Sequence, residues 1–176
     1  MLHMLKQIAV TGIKTETPPI ADEALRASAQ RLERAMLAKL GRALVIRQVD
    51  AGSCNGCELE IHALCNPYYN LEALGIRFAA SPKHADMLLV TGPVTKNMET
   101  ALKRAWECTP APKLVVAVGD CGSGCGNSSA IFGESYASSG RVSNVIPVDV
   151  AIPGCPPTPL ALMQGILTAI DGQAKG

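Results

Sequence analysis

Aromatic side chains make up only 3% of this chain of 176 residues, with two Phe, one Trp and three Tyr. A core of single-domain size must therefore be built from Ala, Val, Leu and Ile. No window approaches the roughly 18 uncharged apolar residues that a membrane helix needs. The N-terminal stretch carries neither an apolar segment of signal length nor a twin-arginine pair. Charge of one sign is also scarce: 16 Lys and Arg against 15 Asp and Glu leave a net charge of +1. There is no basic run and no basic–aromatic interleaving, so no nucleic-acid partner is expected. A disulfide framework is not expected either. Seven cysteines are an odd number, and the core is large enough to fold without staples, which points to a reducing compartment.

What the chain has instead is cysteine inside glycine- and proline-rich loops. Cys54 and Cys57 form a C-x-x-C pair in Asp50-Ala51-Gly52-Ser53-Cys54-Asn55-Gly56-Cys57. Cys121 lies in Gly119-Asp120-Cys121-Gly122-Ser123-Gly124-Cys125, and Cys155 in Pro153-Gly154-Cys155-Pro156-Pro157. Each loop follows an apolar run with strand character, so the thiols fall on one edge of one sheet and could share a metal centre. Four thiolates suit an iron–sulfur cluster or a structural zinc. Zinc sites usually use two short paired knuckles, whereas here one pair is followed by two distant single cysteines. The glycines would let backbone N–H groups approach bridging sulfurs, and Pro156 after Cys155 repeats the Cys-Pro step of ferredoxin ligand runs. The spacing favours a cluster over zinc.

The chain divides into an N-terminal arm and helix, residues 1–41, and one α/β domain, residues 42–176. The first nineteen or so residues show no strong period and end in Thr17-Pro18-Pro19, a linker. A helix over about 21–40 places Leu25, Ala29, Leu32, Met36 and Leu40 on one face. That face suits packing on its own domain, on a partner subunit or on a membrane surface, the last disfavoured by mixed charge. Strands are expected at 44–49, 76–79, 87–91 and 113–118, with a weaker one at 145–148 placed at an edge by Pro147. Helices are expected at 57–65, 97–108 and 159–170. This alternation predicts a mostly parallel sheet with helices on both faces, whose sites lie beyond the carboxyl ends of the strands.

Four linked segments resemble one family. They are Gly52-Ser53-Cys54-Asn55-Gly56-Cys57-Glu58-Leu59-Glu60-Ile61, Ser81-Pro82-Lys83-His84-Ala85-Asp86 with Thr91-Gly92-Pro93-Val94-Thr95, Gly119-Asp120-Cys121, and Pro153-Gly154-Cys155-Pro156-Pro157. Together they are similar to the small subunit of membrane-bound [NiFe] hydrogenases of the formate hydrogenlyase and energy-converting type. That family is similar in turn to the cluster-bearing, quinone-proximal subunit of respiratory complex I. The resemblance covers about residues 42–171. It implies a flavodoxin-like domain holding one [4Fe–4S] cluster on Cys54, Cys57, Cys121 and Cys155, with no nickel, flavin or nucleotide. It also implies that the chain has no complete active site and no catalytic residue of its own. The implied partners are a large subunit with the nickel–iron site, a ferredoxin-like iron–sulfur subunit and membrane-integral subunits. The implied location is peripheral, on the cytoplasmic side of the cell membrane. Complex I subunits carry adjacent cysteines where this chain has a spaced pair, which favours the hydrogenase branch over a quinone oxidoreductase. Soluble periplasmic hydrogenase small subunits are longer, with a further cysteine-rich domain.

Several residues near these motifs stand with two readings. Cys125 is close enough in sequence to Cys121 to exchange with it as a ligand, or to sit behind it; the family pattern favours Cys121. Glu58 and Glu60 are either carboxylates favoured at a helix N-terminus or interface groups that tune the cluster or move protons. Asp120 is a turn residue or a charge beside a ligand. His62 and His84 are expected to be structural, with an interface role open for His62. Cys65 and Cys108 are expected to be buried as small hydrophobes.

Overall fold

The computed structural model describes residues 2–12, 22–39, 41–126 and 131–172. Helix α1 spans Leu2–Thr11 and α2 spans Glu23–Lys39. Then follow β1 (Leu44–Asp50), α3 (Gly56–Ala63), β2 (Ile76–Phe78), β3 (Met87–Thr91) and α4 (Lys96–Cys108). The chain continues with β4 (Leu114–Val118), the short α5 (Gly119–Ser123), β5 (Val150–Ile152) and α6 (Pro159–Gly172). The five strands form one parallel sheet in the order β2-β1-β3-β4-β5. This is the flavodoxin-like α/β arrangement, with an N-terminal helical segment.

The central strands explain themselves. Every residue of β3 and β4 is buried, as expected for strands covered on both faces. Side-chain alternation splits them between two cores. Met87, Leu89, Val116 and Val118 join Ile46, Ile61, Leu162 and Ile166 on one face. Leu88, Val90, Val115 and Ala117 join Val49, Leu102 and Val142 on the other. Crossover helix α3 therefore covers the first face and α4 the second. On α4, Leu102 is buried and Ala105 and Trp106 pack against the same core. Lys113 Nζ sits 4.1 Å from the Trp106 ring centroid.

Helix α2 packs on its own domain. Leu25 and Leu32 sink into the cluster that holds Ile166 and Ile170 of α6, each worth about 1.5–3 kcal/mol of burial. The side chain of Met36, residue Leu40 and the Thr17-Pro18-Pro19 linker lie outside the described residues.

Two expectations are corrected. The first eleven residues are largely helical rather than aperiodic. Leu2, Leu5, Ile8 and Ala9 recur at helical spacing among good helix formers, a short stripe that is easily overlooked. The fifth strand is Val150–Ile152, not 145–148. Residues 142–144 form a 3-10 turn, and Pro147 has no N–H to give a ladder. Pairing resumes at Asp149, whose N–H donates to Val115 O at 2.9 Å while its Oδ2 accepts the Val115 N–H at 2.7 Å.

Candidate iron–sulfur site

Three strands deliver cysteine loops to one edge. After β1, the side chain of Asp50 turns the chain: Oδ1 accepts the N–H groups of Gly52 and Ser53, each at 2.8 Å. Ser53 Oγ then accepts the Asn55 N–H at 3.1 Å, and Asn55 adopts φ 72° before α3 begins. Cys54 is thus in the turn and Cys57 in the first turn of the helix. After β3, Gly92 takes φ +75°; a Cβ there would lie 2.5 Å from Ser53 N, so the end of β3 presses against the Cys54 loop. After β4, α5 carries Cys121 and closes on Gly124, where the N–H donates to Asp120 O at 3.0 Å. After β5, Gly154 precedes Cys155.

These loops line one cavity of about 350 Å3, with Cys54, Cys57, Cys121 and Cys155 all in its wall. Gly52, Gly92, Pro93, Asp120, Phe132 and Pro156 contribute to the same wall. Among the described residues, no three His, Cys, Asp or Glu side chains gather as the site of a single metal ion. The cysteines instead surround a space.

Two observations describe the surroundings of Cys57 in this wall. Gly119 has φ +80°, and a Cβ there would stand 2.6 Å from Cys57 Sγ, so only glycine leaves room for that sulfur. The thiol of Cys57 is pushed up to about 12, chiefly by burial and then by the charges of Glu58, Cys54, Cys121 and Cys155. A thiol in the first turn of a helix ordinarily ionises more readily; here burial, above all, outweighs the helix. A thiol binds a metal as the thiolate, so a bound cation would favour the opposite protonation state.

The remaining candidates separate. Cys125 is exposed and is not part of the cavity wall; its N–H donates to Ser123 Oγ at 3.3 Å. Glu58 is buried, at 6% exposure, and neither carboxyl oxygen has a hydrogen-bond partner. Glu60 is half-buried. His62 is exposed and lines a different, larger cavity of about 560 Å3 with Arg47, Cys65 and Phe78, at the carboxyl ends of β1 and β2. His84 is exposed in the 3-10 turn before β3. Cys65 and Cys108 are exposed, not buried. Cys65 lies past the last turn of α3, and Cys108 ends α4 on the side away from Leu102. Sequence reasoning also missed Phe132, half exposed in the cavity wall. Its one signal was a rare aromatic in a Gly- and Ser-rich stretch.

The comparison with known proteins agrees with this geometry. The family model described as NADH ubiquinone oxidoreductase, 20 Kd subunit, matches residues 54–169. The chain belongs to that family. Formate hydrogenlyase subunit 7 of Escherichia coli is 41% identical over 153 residues, covering 87% of this chain. The chain spans only 57% of the length of that relative. A Pyrococcus furiosus protein named probable membrane-bound hydrogenase subunit mbhJ is 44% identical, with 83% of this chain and 87% of that protein covered. Among solved structures, a chain of the membrane-bound sulfane sulfur reductase, an archaeal respiratory membrane complex, superposes with a TM-score of 0.63 at 33% identity, covering 80% of this chain and 74% of its own. A chain of an NAD+-reducing [NiFe]-hydrogenase shares the fold, with a TM-score of 0.54 at 18% identity, covering 72% and 92%.

Proposed function

We propose that this chain is the electron-relay small subunit of a membrane-associated [NiFe] hydrogenase complex, holding one [4Fe–4S] cluster on Cys54, Cys57, Cys121 and Cys155. The observation that carries the reading is the convergence of four cysteines, from loops after three different strands, on one cavity. Such a cluster, when bound, takes up and returns one electron at a potential set by its surroundings. Cys57 would hold iron as the thiolate. Gly119 keeps the space beside that sulfur free of a side chain. Pro93, Phe132 and Pro156 supply apolar wall beside the sulfurs, of which those of Cys54 and Cys155 are exposed.

The partners follow from the same reading. A large subunit with the nickel–iron site docks over the cavity mouth, where Phe132 of the wall is exposed at 49%. A ferredoxin-like subunit supplies or accepts the electrons, and membrane-integral subunits hold the complex on the cytoplasmic face of the cell membrane. Among the described residues, no helix is long and apolar enough to cross a membrane. A quinone-reducing complex of the complex I type is the second reading, favoured by the family that the chain belongs to. The spaced pair Cys54 and Cys57 supports the hydrogenase reading over it.

The test is metal content. The native complex is purified anaerobically through a tag on this chain, and iron, nickel and zinc are quantified together. Iron with stoichiometric nickel is the expected result. Iron without nickel moves the reading to the quinone-reducing type. Zinc without iron overturns electron transfer.

A further inference from the structure

We propose that Asp120 is a positioning residue that sets the spacing between the two single-cysteine loops, those of Cys121 and Cys155. This rests on the reading of both cysteines as cluster ligands. The two loops leave β4 and β5, whose last registered pair is Val118 and Ile152. Beyond that pair the two segments are joined again at Asp120 and Gly154. Asp120 N–H donates to Gly154 O at 2.9 Å, and Asp120 Oδ1 accepts the Gly154 N–H at 2.7 Å. Asp120 and Gly154 are the residues immediately before Cys121 and Cys155. The exchange therefore binds the two loops one residue upstream of each sulfur.

Both sides of the clamp are specific. Gly154 has φ +133°, and a Cβ there would meet Pro157 Cα at 2.6 Å, so the N–H that Asp120 receives is aimed by a backbone only glycine adopts. The other carboxyl oxygen is enclosed as well: a Cβ on Gly126 would lie 2.5 Å from Asp120 Oδ2. The main-chain oxygen of Asp120 meanwhile accepts the Gly124 N–H that ends α5. One residue thus shapes the Cys121 turn through its backbone and ties it to the Cys155 loop through its side chain. The Cys54 and Cys57 loop is held by a separate device, Asp50 and Gly92, so Asp120 governs one pair of ligands and not the other.

Asp120→Ala removes the side-chain acceptor, while Asp120→Asn keeps an oxygen in the same place. The full chain is purified in its complex as wild type and both variants, and three properties are measured: hydrogen exchange at the Gly154 amide, loss of iron to a chelator, and the electron paramagnetic resonance spectrum of the reduced cluster. In Asp120→Ala, Gly154 should exchange about tenfold faster, and iron should leave about tenfold faster. Its cluster spectrum should shift, a change that a general loss of stability does not produce. Asp120→Asn should match wild type in all three. Wild-type exchange, iron retention and spectrum in Asp120→Ala would overturn the proposal, as would Asp120→Asn failing as fully as Asp120→Ala. If Asp120→Ala does not fold, the wild-type chain decides. Its Gly154 amide should be protected at least about a hundredfold over an unstructured one, and exchange at the rate of a free loop overturns the clamp. A wild-type complex without iron would sink the cluster reading and leave this exchange measurement standing.

Discussion

Gly119→Ala probes the packing against Cys57 without replacing a cysteine. Two costs can be separated. Residue 119 has φ +80°, and a side chain in the left-handed region costs roughly 1–2 kcal/mol. The new Cβ would also stand 2.6 Å from Cys57 Sγ, about 1 Å inside an ordinary nonbonded contact. Overpacking of that kind costs about 1–3 kcal/mol. The sum is about 2–5 kcal/mol. Gly41→Ala supplies the control, because Gly41 has φ +60° with nothing within 4 Å of its Cβ position, leaving only the roughly 1–2 kcal/mol backbone cost. Urea denaturation of the two variants should therefore differ by about 1–3 kcal/mol. Adding Cys57→Ala to Gly119→Ala removes the struck sulfur, and the double-mutant cycle should return a coupling on the order of 1 kcal/mol or more. Equal costs at positions 41 and 119, with no coupling to Cys57, would refute the placement of that sulfur against Gly119 and with it the fit of the cavity.

Three further outcomes are expected. Cys155→Ala should abolish bound iron in the anaerobically purified complex, and an unchanged iron content would refute the ligand set. Glu58→Met should stabilise the chain to urea by about 1–3 kcal/mol, since it replaces a buried carboxyl with no hydrogen-bond partner by an apolar side chain of similar length; a loss of stability would show that the carboxyl is satisfied. Glu99 is held at about 2, against an ordinary 4.5, by hydrogen bonds from Lys103 and Ser139 and by the charge of Lys103. A depressed carboxyl contributes stability above 4.5 and loses it as pH falls toward 2. Glu99→Gln should therefore be less stable than wild type near neutral pH, with the gap closing in acid. A gap that does not change with pH would show that the Ser139 and Lys103 contacts are not held by charge.

Much of this protein was legible before any coordinates, for a physical reason. Strands β3 and β4 are covered on both faces, so their burial is written as unbroken apolar runs, and α4 shows its single buried face as a helical period. The four ligand candidates were legible because cysteine in glycine-rich loops after strands is costly to explain otherwise. What escaped depends on partners distant in sequence. Strand β5 begins at Val150 because Asp149 pairs with Val115, a residue 34 positions earlier. The burial of Glu58 and the exposure of Cys65 and Cys108 are set by which way a helix end faces, not by residue type. Gly119 reads as a turn residue in sequence, and only the approach of Cys57 shows why no side chain is tolerated there.

The strand order accounts for the position of the site. From β1 the chain crosses through α3 on one face to β2, and from β3 it crosses through α4 on the other face to β4. The two crossovers diverge, so the carboxyl edge between β1 and β3 is left uncovered. Into that gap come the Cys54 and Cys57 turn from β1 and the Gly92-Pro93 turn from β3. The loops after β4 and β5 close it from the far side with Cys121 and Cys155. The sheet edge thus brings one thiol pair and two single thiols, far apart in the chain, around one volume.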